Sequence, residues 1–362
     1  MPNLIQPSPE QWDSFVAAQP RAHILQLAAW GELKAAYGWS VERVALAEGS
    51  QIVAGAQLLF RRLPFRLGSL AYLAMGPYPQ PLPPTPSLNS ERGQTGAAGS
   101  DGMRRLWQAV DACARRHHAA FLKWEPGIIE ASHDSPPPAE LGFQESAQTI
   151  QPPRTILIEI GDDDETILAR MNQGTRRKIR QSLKNGVRYW QASRAEVDIF
   201  NGMMQTTGAR NAFGVHAPGY YERAYDLFVP SGQAALILAE HEGDPLAGIM
   251  VFAVGRTAWY LYGASSDTKR NLMAAYGVQW EAIQWAKARG CTTYDMWGIP
   301  DEDETTLEAL FQERSDGLWG VYGFKRGWGG RVTRSLGAWD KVYNPLVYNA
   351  YKTAVRLRSS RE

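Results

Sequence analysis

The alternation of apolar and polar residues predicts a strand–helix–strand unit in the second half of the chain. Residues 258–262 (AWYLY) are typical of an aromatic strand, and residues 263–271 of a polar loop. Residues 273–289 have the 3.6-residue periodicity of a helix, and Gly290 stands where a helix C-cap belongs. A second strand is predicted at residues 292–297. Two strands joined by a crossover helix are expected to lie side by side and parallel.

The first half of the chain carries the same pattern. Strands are predicted at residues 69–74 and 121–125, with a helix at residues 103–117 between them. Residues 77–102 are rich in Pro, Gly and Ser, which predicts a long mobile loop before that helix. The segments upstream of the two units also match. LAEG at 46–49 and AG at 54–55 correspond to LAE at 238–240 and AG at 247–248.

The spacing of these segments indicates an internal duplication. The offset is 239 − 47 = 192 residues for the first pair and 248 − 55 = 193 for the second. A repeat of this size predicts two copies of one domain rather than a solenoid. Hairpins with glycine turns are common, so chance similarity is the alternative.

Flanking segments complete the predicted elements. Residues 8–19 form a short first helix with Ser8 as N-cap, and Trp30, Leu33 and Tyr37 share the face of a second helix that also carries Lys34. After Lys325 we expect a strand and a terminal helix that return to the first domain.

One predicted helix, at residues 164–184, has two distinct stripes. Its apolar stripe consists of Leu168, Met171, Thr175, Ile179 and Leu183. Its basic stripe consists of Arg176, Arg180 and Lys184, widened by Arg177 and Lys178. A solvated helix face explains such a stripe, and so does a surface that follows RNA phosphates. The sequence leaves both interpretations open.

Composition narrows the class of protein. The 362 residues are 44% hydrophobic and 21% charged with a net charge of +1, which indicates a soluble globular protein without a global basic field. Cys113 and Cys291 have no zinc-binding spacing and the six histidines have none either, so we expect no metal. No apolar run is long enough for a membrane span and no secretory signal is evident, which predicts a cytoplasmic protein.

The usual signatures of hydrolases, kinases and dinucleotide enzymes are missing. The chain has no GxSxG, HExxH, Walker loop or GxGxxG before a helix. The acetyl-CoA loop of ordinary N-acetyltransferases should fall at residues 268–277, where TKRNLMAAYG does not fit its pattern. This points to acyl transfer from a donor other than acyl-CoA, or to a lost activity.

Several motifs in a specific order carry a family likeness over nearly the whole chain. They are W-x-x-x-K-x-x-x-x-W at 30–39, GPY at 76–78, KWEP at 123–126, RRKIRQSLKNGV at 176–187, T-x-x-R with H-x-x-x-YY at 207–221, WYLYGAS at 259–265, YDMWGIP at 294–300 and GFKRGWGG at 323–330. With these motifs the chain resembles the Fem family of peptidoglycan bridge-forming aminoacyltransferases. No heptad run interrupts residues 220–259, so it resembles a compact member without a coiled-coil arm.

The resemblance implies a fold and an activity. The fold would be α/β (α+β): two tandem N-acetyltransferase-like domains, each with a mixed sheet flanked by helices. The first, precursor-binding domain would comprise residues 1–150 and 331–362, and the second, aminoacyl-tRNA domain residues 151–330. The activity would be transfer of an amino acid from aminoacyl-tRNA to the stem-peptide amine of a UDP-linked or lipid-linked muropeptide precursor, without a cofactor. The protein would be a monomer, and a peripheral place at the inner membrane face is left open.

The resemblance also assigns site residues. The acceptor side would use Lys34 for precursor phosphates with Trp39 beside it, and His216 where relatives often carry arginine, together with Tyr220. The transfer site would use Lys325, Tyr262 (with Tyr260 as its alternative) and Glu125, and Phe324 would lie at the aminoacyl end. The RNA surface would be formed by Arg176, Arg177, Arg180 and Lys184.

Ester aminolysis suggests roles for three of these residues. A fixed cation stabilises the developing oxyanion, which we assign to Lys325, while Tyr262 shapes the site and Glu125 orients the amine. Two other functions remain as alternatives. One is an atypical acyltransferase with a different acceptor or donor. The other is a non-catalytic protein that binds precursors or RNA.

Overall fold

The computed structural model describes residues 2–79, 95–130, 141–211, 214–217 and 219–359. The chain divides into two compact units. The first comprises Met1–Ile150 and Ser335–Glu362, and the second comprises Gln151–Arg334. Each unit contains one mixed sheet with helices packed against it, and the C-terminal segment belongs to the first unit, which confirms the predicted α/β class and the predicted return of the chain.

The first unit has one sheet and four described α-helices. Strands and helices of both units are numbered in the order in which they occur along the whole chain. Its strands are β1 (Asn3–Ile5), β2 (Trp39–Glu48), β3 (Gln51–Arg62), β4 (Ser69–Ala74), β5 (Tyr78–Pro79), β6 (Ala119–Glu125), β7 (Phe143–Glu145) and β15 (Trp339–Val342). Its helices are α1 (Pro9–Ala17), α2 (Ala28–Ala35), α3 (Thr95–Arg116) and α11 (Pro345–Ser359). The strand order is β1-β2-β3-β4-β6-β15-β7, with β5 paired to β3.

The second unit repeats this plan. Its strands are β8 (Arg154–Glu159), β9 (Arg188–Gln191), β10 (Ala234–His241), β11 (Asp244–Val254), β12 (Thr257–Ser265), β13 (Thr293–Asp295) and β14 (Arg331–Arg334), in the order β14-β8-β13-β12-β11-β10-β9. Its helices are α4 (Asp164–Arg170), α5 (Gln173–Lys184), α6 (Val197–Asn211), α7 (Tyr220–Phe228), α8 (Ala274–Ala288), α9 (Glu304–Leu310) and α10 (Trp319–Lys325). Residues 220–259 hold only α7, β10, β11 and the start of β12, without a long helical arm.

The predicted strand–helix–strand units are present in both halves. Helix α3 joins β4 to β6, helix α8 joins β12 to β13, and each helix connects two parallel neighbours. Helix α3 begins at Thr95, so the predicted loop at residues 77–102 is wrong in part. Tyr78–Pro79 forms β5, residues 95–102 are helical, and residues 80–94 lie outside the described residues.

The strand register of the two sheets shows how the halves correspond. Leu46 pairs with Ala54 in the first unit and Ala239 pairs with Ala247 in the second, so both strands are offset by 193 residues (239 − 46 and 247 − 54). A bulge follows at the same place in both hairpins, after Leu46 and after Ala239. A β-bulge is a local irregularity that a regular pair of strands does not need. Its recurrence at the same place in both hairpins therefore supports an internal duplication of the domain.

The helix predicted at residues 164–184 is two helices. Asp163 caps α4, and Asn172 caps α5 by accepting a hydrogen bond from the Thr175 amide at 2.7 Å. An N-cap asparagine holds an extended backbone, which ends the preceding helix. The change of direction leaves Leu183, which the stripe placed in the core, 46% exposed.

Apolar side chains form a separate core beneath each sheet. In the first unit α3 packs on β2, β3 and β6, and α11 packs on β6 over Phe121 and Tyr348. In the second unit α8 packs on β10, β11 and β12. Ser8 is the N-cap of α1, as predicted, and it also closes a capping box there. Among the described residues no helix has the length and apolar character needed to cross a membrane.

Candidate active site

Lys325 is the last residue of α10 and is buried. Only 6% of it is exposed. Its Nζ donates hydrogen bonds to the carbonyl of Gly298 at 2.7 Å and to that of Trp297 at 3.3 Å. An ammonium group has three donors, and these carbonyls take two. Within the part of the chain that the structure describes, no third acceptor contacts Nζ, so one donor remains for a bound molecule.

The two carbonyls are presented by a turn that Asp295 organises. Asp295 ends β13, and one of its carboxylate oxygens accepts hydrogen bonds from the Trp297 amide at 2.7 Å and from the Thr155 hydroxyl. Trp297 has a φ of 59°, a conformation that costs energy in a bulky residue. The sequence motif YDMWGIP contained this turn, but nothing in it showed that Asp295 supports Lys325.

Burial shifts the titration of both charged groups toward neutrality. It lowers the pKa of Lys325 to about 7, opposed by the negative charge of Asp295. It raises the pKa of Asp295 to about 6, opposed by the hydrogen bonds from Thr155 and Trp297 and by the charge of Lys325. Lys325 can therefore exchange between ammonium and amine near neutral pH, a property of groups at functional sites.

Tyr260 and Phe324 lie beside Lys325 and line a cavity in the second unit. The Lys325 Nζ lies 5.5 Å from the centre of the Tyr260 ring. A cavity of about 360 Å³ extends from Tyr260 and Phe324 to the start of α8. Gly263 is required there, because a Cβ at this position would lie 2.3 Å from the Tyr260 ring. The structure thus places Lys325 near a tyrosine that the sequence had only as an alternative, and this tyrosine lines the cavity together with Phe324.

A β-bulge separates Tyr260 from Tyr262. Tyr262 pairs with Met250 and Tyr260 with Val251, so two residues of separation on β12 match one on β11. Cross-strand partners share a face, and only Val251 belongs to the core beneath α8. The bulge therefore turns Tyr260 toward α8 and Lys325, and Tyr262 toward the opposite face of the sheet.

Tyr262 belongs to an aromatic cluster with Tyr220 and His216. The hydroxyls of Tyr262 and Tyr220 are 3.0 Å apart, and the exposed His216 ring stacks on Tyr220 with centroids 3.7 Å apart. Burial, with a contribution from Tyr220, raises the pKa of Tyr262 well above its ordinary value. The Tyr262 hydroxyl therefore stays protonated and can donate or accept a hydrogen bond. Three predicted residues meet here, on the other face from Lys325.

Lys34 and Trp39 form a cationic site in the first unit together with Arg61. The Lys34 Nζ lies 4.6 Å from the Trp30 ring, and the Arg61 guanidinium lies 5.4 Å from the Trp39 ring, across the β2–β3 pair. Burial, and secondly the charge of Arg61, lower the pKa of Lys34 to about 8. Two cations held close together in this way suit a doubly charged anion.

Glu125 connects to this site through Tyr72. The rings of Trp39 and Tyr72 are 6.3 Å apart, and the Tyr72 hydroxyl donates to the carboxylate of Glu125. The other oxygen of Glu125 accepts a hydrogen bond from the Ile150 amide. Glu125 is buried at the end of β6, where only 3% of it is exposed.

The basic residues of α5 divide into two groups. Arg176 donates to the carbonyls of Met171 at 2.5 Å and Ala169 at 3.3 Å, so it stabilises the end of α4. Arg177, Arg180 and Lys184 are exposed, and no described acidic residue forms an ion pair with them. Their spacing of three and four residues places them on one helix face. These three residues, here named the α5 basic face, are available to phosphates.

Glu42, Cys113 and His117 come together in the first unit, which their sequence spacing did not predict. Their ligand atoms lie within 4.8 Å of one another. The His117 Nε2 and Glu42 Oε1 form a hydrogen bond at 3.1 Å. Burial raises the pKa of the Cys113 thiol to about 11, so the thiol stays protonated. The hydrogen bond between His117 and Glu42, next to the buried Cys113 thiol, is sufficient to explain why these three residues lie together.

Comparison with known proteins identifies the class and then the family. Solved structures with this fold include the crystal structure of FemX, with a TM-score of 0.81 and 22% identity over 96% of this chain and 99% of that one. They also include a tandem GNAT protein from the clavulanic acid biosynthesis pathway, with a TM-score of 0.52 and 13% identity over 95% of this chain and 99% of that one. The fold is thus that of two tandem N-acetyltransferase-like domains, as predicted.

The FemAB family model matches residues 8–136, 141–242 and 239–356, and the chain belongs to this family. Related proteins include the lipid II:glycine glycyltransferase of Staphylococcus saprophyticus subsp. saprophyticus, which is 26% identical over 93% of this chain and 92% of its own length. The lipid II:glycine glycyltransferase of Staphylococcus aureus strain MRSA252 is 23% identical over 94% of this chain and 92% of its own length. The family expected from the motifs is confirmed.

Proposed function

We propose that the protein is an aminoacyltransferase of peptidoglycan biosynthesis that moves an amino acid from aminoacyl-tRNA to the stem-peptide amine of a precursor, forming an interpeptide bridge. The observation that carries this proposal is the buried Lys325 with an uncommitted donor beside a cavity. The relatives that are lipid II:glycine glycyltransferases favour glycine as the amino acid and a lipid-linked acceptor. We place the reaction in the cytoplasm and the enzyme as a monomer.

The reaction is aminolysis of an ester. The acceptor amine attacks the carbonyl carbon, a C–N bond forms, and the ester C–O bond breaks. The proton lost by the amine is taken up by the leaving ribose oxygen, which becomes a hydroxyl. The oxyanion formed on the way needs a donor where the charge develops. The Lys325 ammonium supplies that donor, with Phe324 and Tyr260 against the aminoacyl end. Holding the amine and the ester close together and correctly oriented supplies much of the remaining rate enhancement.

Acceptor recognition is assigned to residues of both units. In the first unit Lys34 and Arg61 bind the precursor phosphates next to Trp39, and the carboxylate of Glu125 orients the amine. In the second unit His216 and the hydroxyls of Tyr220 and Tyr262 bind polar groups of the acceptor. Because the first unit holds the cations for the precursor phosphates, it is the precursor-binding domain in this proposal.

Donor recognition is assigned to the second unit. The α5 basic face binds RNA phosphates through Arg177, Arg180 and Lys184, while Arg176 supports that face from the end of α4. Because the chain has a net charge of only +1, attraction of RNA depends on such a local group of cations.

A transfer assay read by mass spectrometry tests the proposal. Purified protein is mixed with nucleotide-linked and lipid-linked muropeptide precursors, a pool of aminoacylated tRNAs and no acyl-CoA. The expected result is a mass gain of one amino-acid residue on the precursor. This gain should not occur when the tRNAs are digested with RNase before the reaction. No gain with either precursor contradicts the proposal. Acyl-CoA binding by the same protein would then favour an atypical acyltransferase, and its absence a non-catalytic binding protein.

A further inference from the structure

The loop between β3 and β4, residues 63–68, exposes apolar and basic side chains together. Phe65 is 93% exposed and Leu67 is 44% exposed. Arg62 and Arg66, on either side of Phe65, are exposed as well, and no described acidic residue forms an ion pair with them. An almost fully exposed phenylalanine between two unpaired cations contributes nothing visible to the packing of this unit.

The backbone holds this loop in shape at an energetic cost. Phe65 and Arg66 have φ values of 57° and 59°, in the left-handed region that bulky residues avoid. The Leu63 amide donates to the Gly68 carbonyl at 2.9 Å, and the Leu63 side chain packs on the cluster of Phe121 and Tyr348. The base of the loop is therefore anchored while its tip points into solvent. Conformations of this kind concentrate where binding requires them.

The loop begins beside the cationic site of the first unit. Arg62 directly follows Arg61, whose guanidinium lies over Trp39 and whose charge acts on Lys34. In the proposed function these cations hold the precursor phosphates. In a lipid-linked precursor the phosphates join the sugar to the lipid, so the lipid chain must enter the membrane next to them. Because the loop follows Arg61 directly in the chain, a lipid-linked acceptor bound at these cations would bring the loop near the membrane surface.

We propose that residues 62–67 dock the protein on an anionic phospholipid surface, a role that rests on the proposed function with a lipid-linked acceptor. Phe65 and Leu67 enter the interface between headgroups and acyl chains, and Arg62 and Arg66 bind lipid phosphates. The positive charges of Arg62 and Arg66 are complementary to an anionic membrane leaflet. This loop then brings Lys34 and Arg61 to the depth at which the precursor phosphates lie.

Vesicle sedimentation tests the docking directly. Vesicles of phosphatidylcholine with one-third phosphatidylglycerol are compared with vesicles of phosphatidylcholine alone, in the absence of precursor and tRNA. Phe65→Gly removes the apolar side chain and suits the φ of 57°, so the variant should fold. Leu4→Ser is the matched control, since Leu4 is 59% exposed and pairs with Leu46. Leu46 is seven residues along β2 from Trp39 (46 − 39), which is about 23 Å.

The variants have distinct expected results. Phe65→Gly lowers partitioning onto anionic vesicles about tenfold, because the interface loses one large apolar side chain. Arg62→Gln and Arg66→Gln each lower it about fivefold, and only on the anionic vesicles. Leu4→Ser leaves it unchanged. Equal vesicle binding by wild type and Phe65→Gly would overturn the docking proposal and assign the loop to a protein contact.

A second readout separates docking from the proposed function. Transfer is measured with a lipid-linked acceptor in vesicles and with a water-soluble acceptor that lacks the lipid. Phe65→Gly should be slower only on the vesicle acceptor. Equal slowing on both acceptors would place Phe65 in acceptor recognition and overturn the docking role. Absence of transfer by the wild type to both acceptors, with Phe65-dependent vesicle binding, would overturn the proposed function and leave docking supported.

Discussion

Replacement of Lys325 by methionine tests the proposed chemistry most directly. Methionine has similar length and tolerates a buried position, so it removes the ammonium with little change of shape. The carbonyls of Trp297 and Gly298 lose the hydrogen bonds from Lys325, but the cost of burying an ammonium group is also removed. These effects oppose each other, so we expect a change in melting temperature of only a few degrees.

The magnitude follows from the single donor left on Lys325. Removal of one oxyanion donor costs about 100- to 1,000-fold in turnover, or about 3–4 kcal/mol. Only the ammonium form can donate in this way and keep a positive charge, and the pKa of about 7 makes that form the minority above neutral pH. The advantage of wild type over Lys325→Met should therefore be large in weak acid and should fall about tenfold between about pH 6 and pH 8.

The assay measures single-turnover transfer from aminoacyl-tRNA for wild type and Lys325→Met across this pH range. The ratio of the two rates is the useful quantity, because deprotonation of the acceptor amine accelerates both proteins equally. Lys287→Met is the matched control, since Lys287 also lies at a helix end in the second unit but forms its ion pair with Asp164. A ratio near one, or a large ratio that does not decline with pH, would refute the cationic role of Lys325.

Three further predictions concern binding and packing. Lys34→Met should raise KM for the precursor about tenfold with little change in kcat, and wild-type affinity should weaken as pH rises through about 8, where the lysine loses its charge; a pH-independent KM in wild type would contradict this. Changing the α5 basic face to glutamine should weaken tRNA binding and reduce the slope of log K against log salt by about 2–3, measured by filter binding, whereas Arg331→Gln, also exposed but on β14, should leave the slope unchanged. Gly263→Ala should lower stability by about 1–3 kcal/mol in urea unfolding and slow transfer, because its Cβ would meet the Tyr260 ring; wild-type behaviour would show that the ring moves freely.

Local patterns predicted the elements well, because each depends on residues close in sequence. The strand at 69–74 and the helix at 273–289 follow periodicity, and Gly290 has the φ of 77° that its position after α8 required. The break between α4 and α5 was missed, although Asn172 is a good N-cap. The apolar positions on both sides of Asn172 continue the same spacing, so periodicity alone could not reveal it.

The candidate site was less predictable because it depends on contacts between distant segments. Residue type alone could not show that Lys325 is buried, or that Asp295 shapes the turn whose carbonyls it binds. The bulge opposite Val251 decides that Tyr260, rather than Tyr262, faces Lys325. A bulge depends on the pairing of two strands, which neither strand shows by itself. Arg61 likewise joins Lys34 only through the β2–β3 register.

The position of β15 has a consequence for synthesis on the ribosome. In the sheet of the first unit β15 lies between β6 and β7, yet it follows the whole second unit in the chain. From the end of β6 at Glu125 to the end of β15 at Val342 the ribosome must add 342 − 125 = 217 residues. At about 5–20 residues per second this takes roughly 10–40 s. During that time β6 has an unpaired edge, and the later-made unit can complete its sheet first. The nascent N-terminal half is therefore the part that needs protection by chaperones.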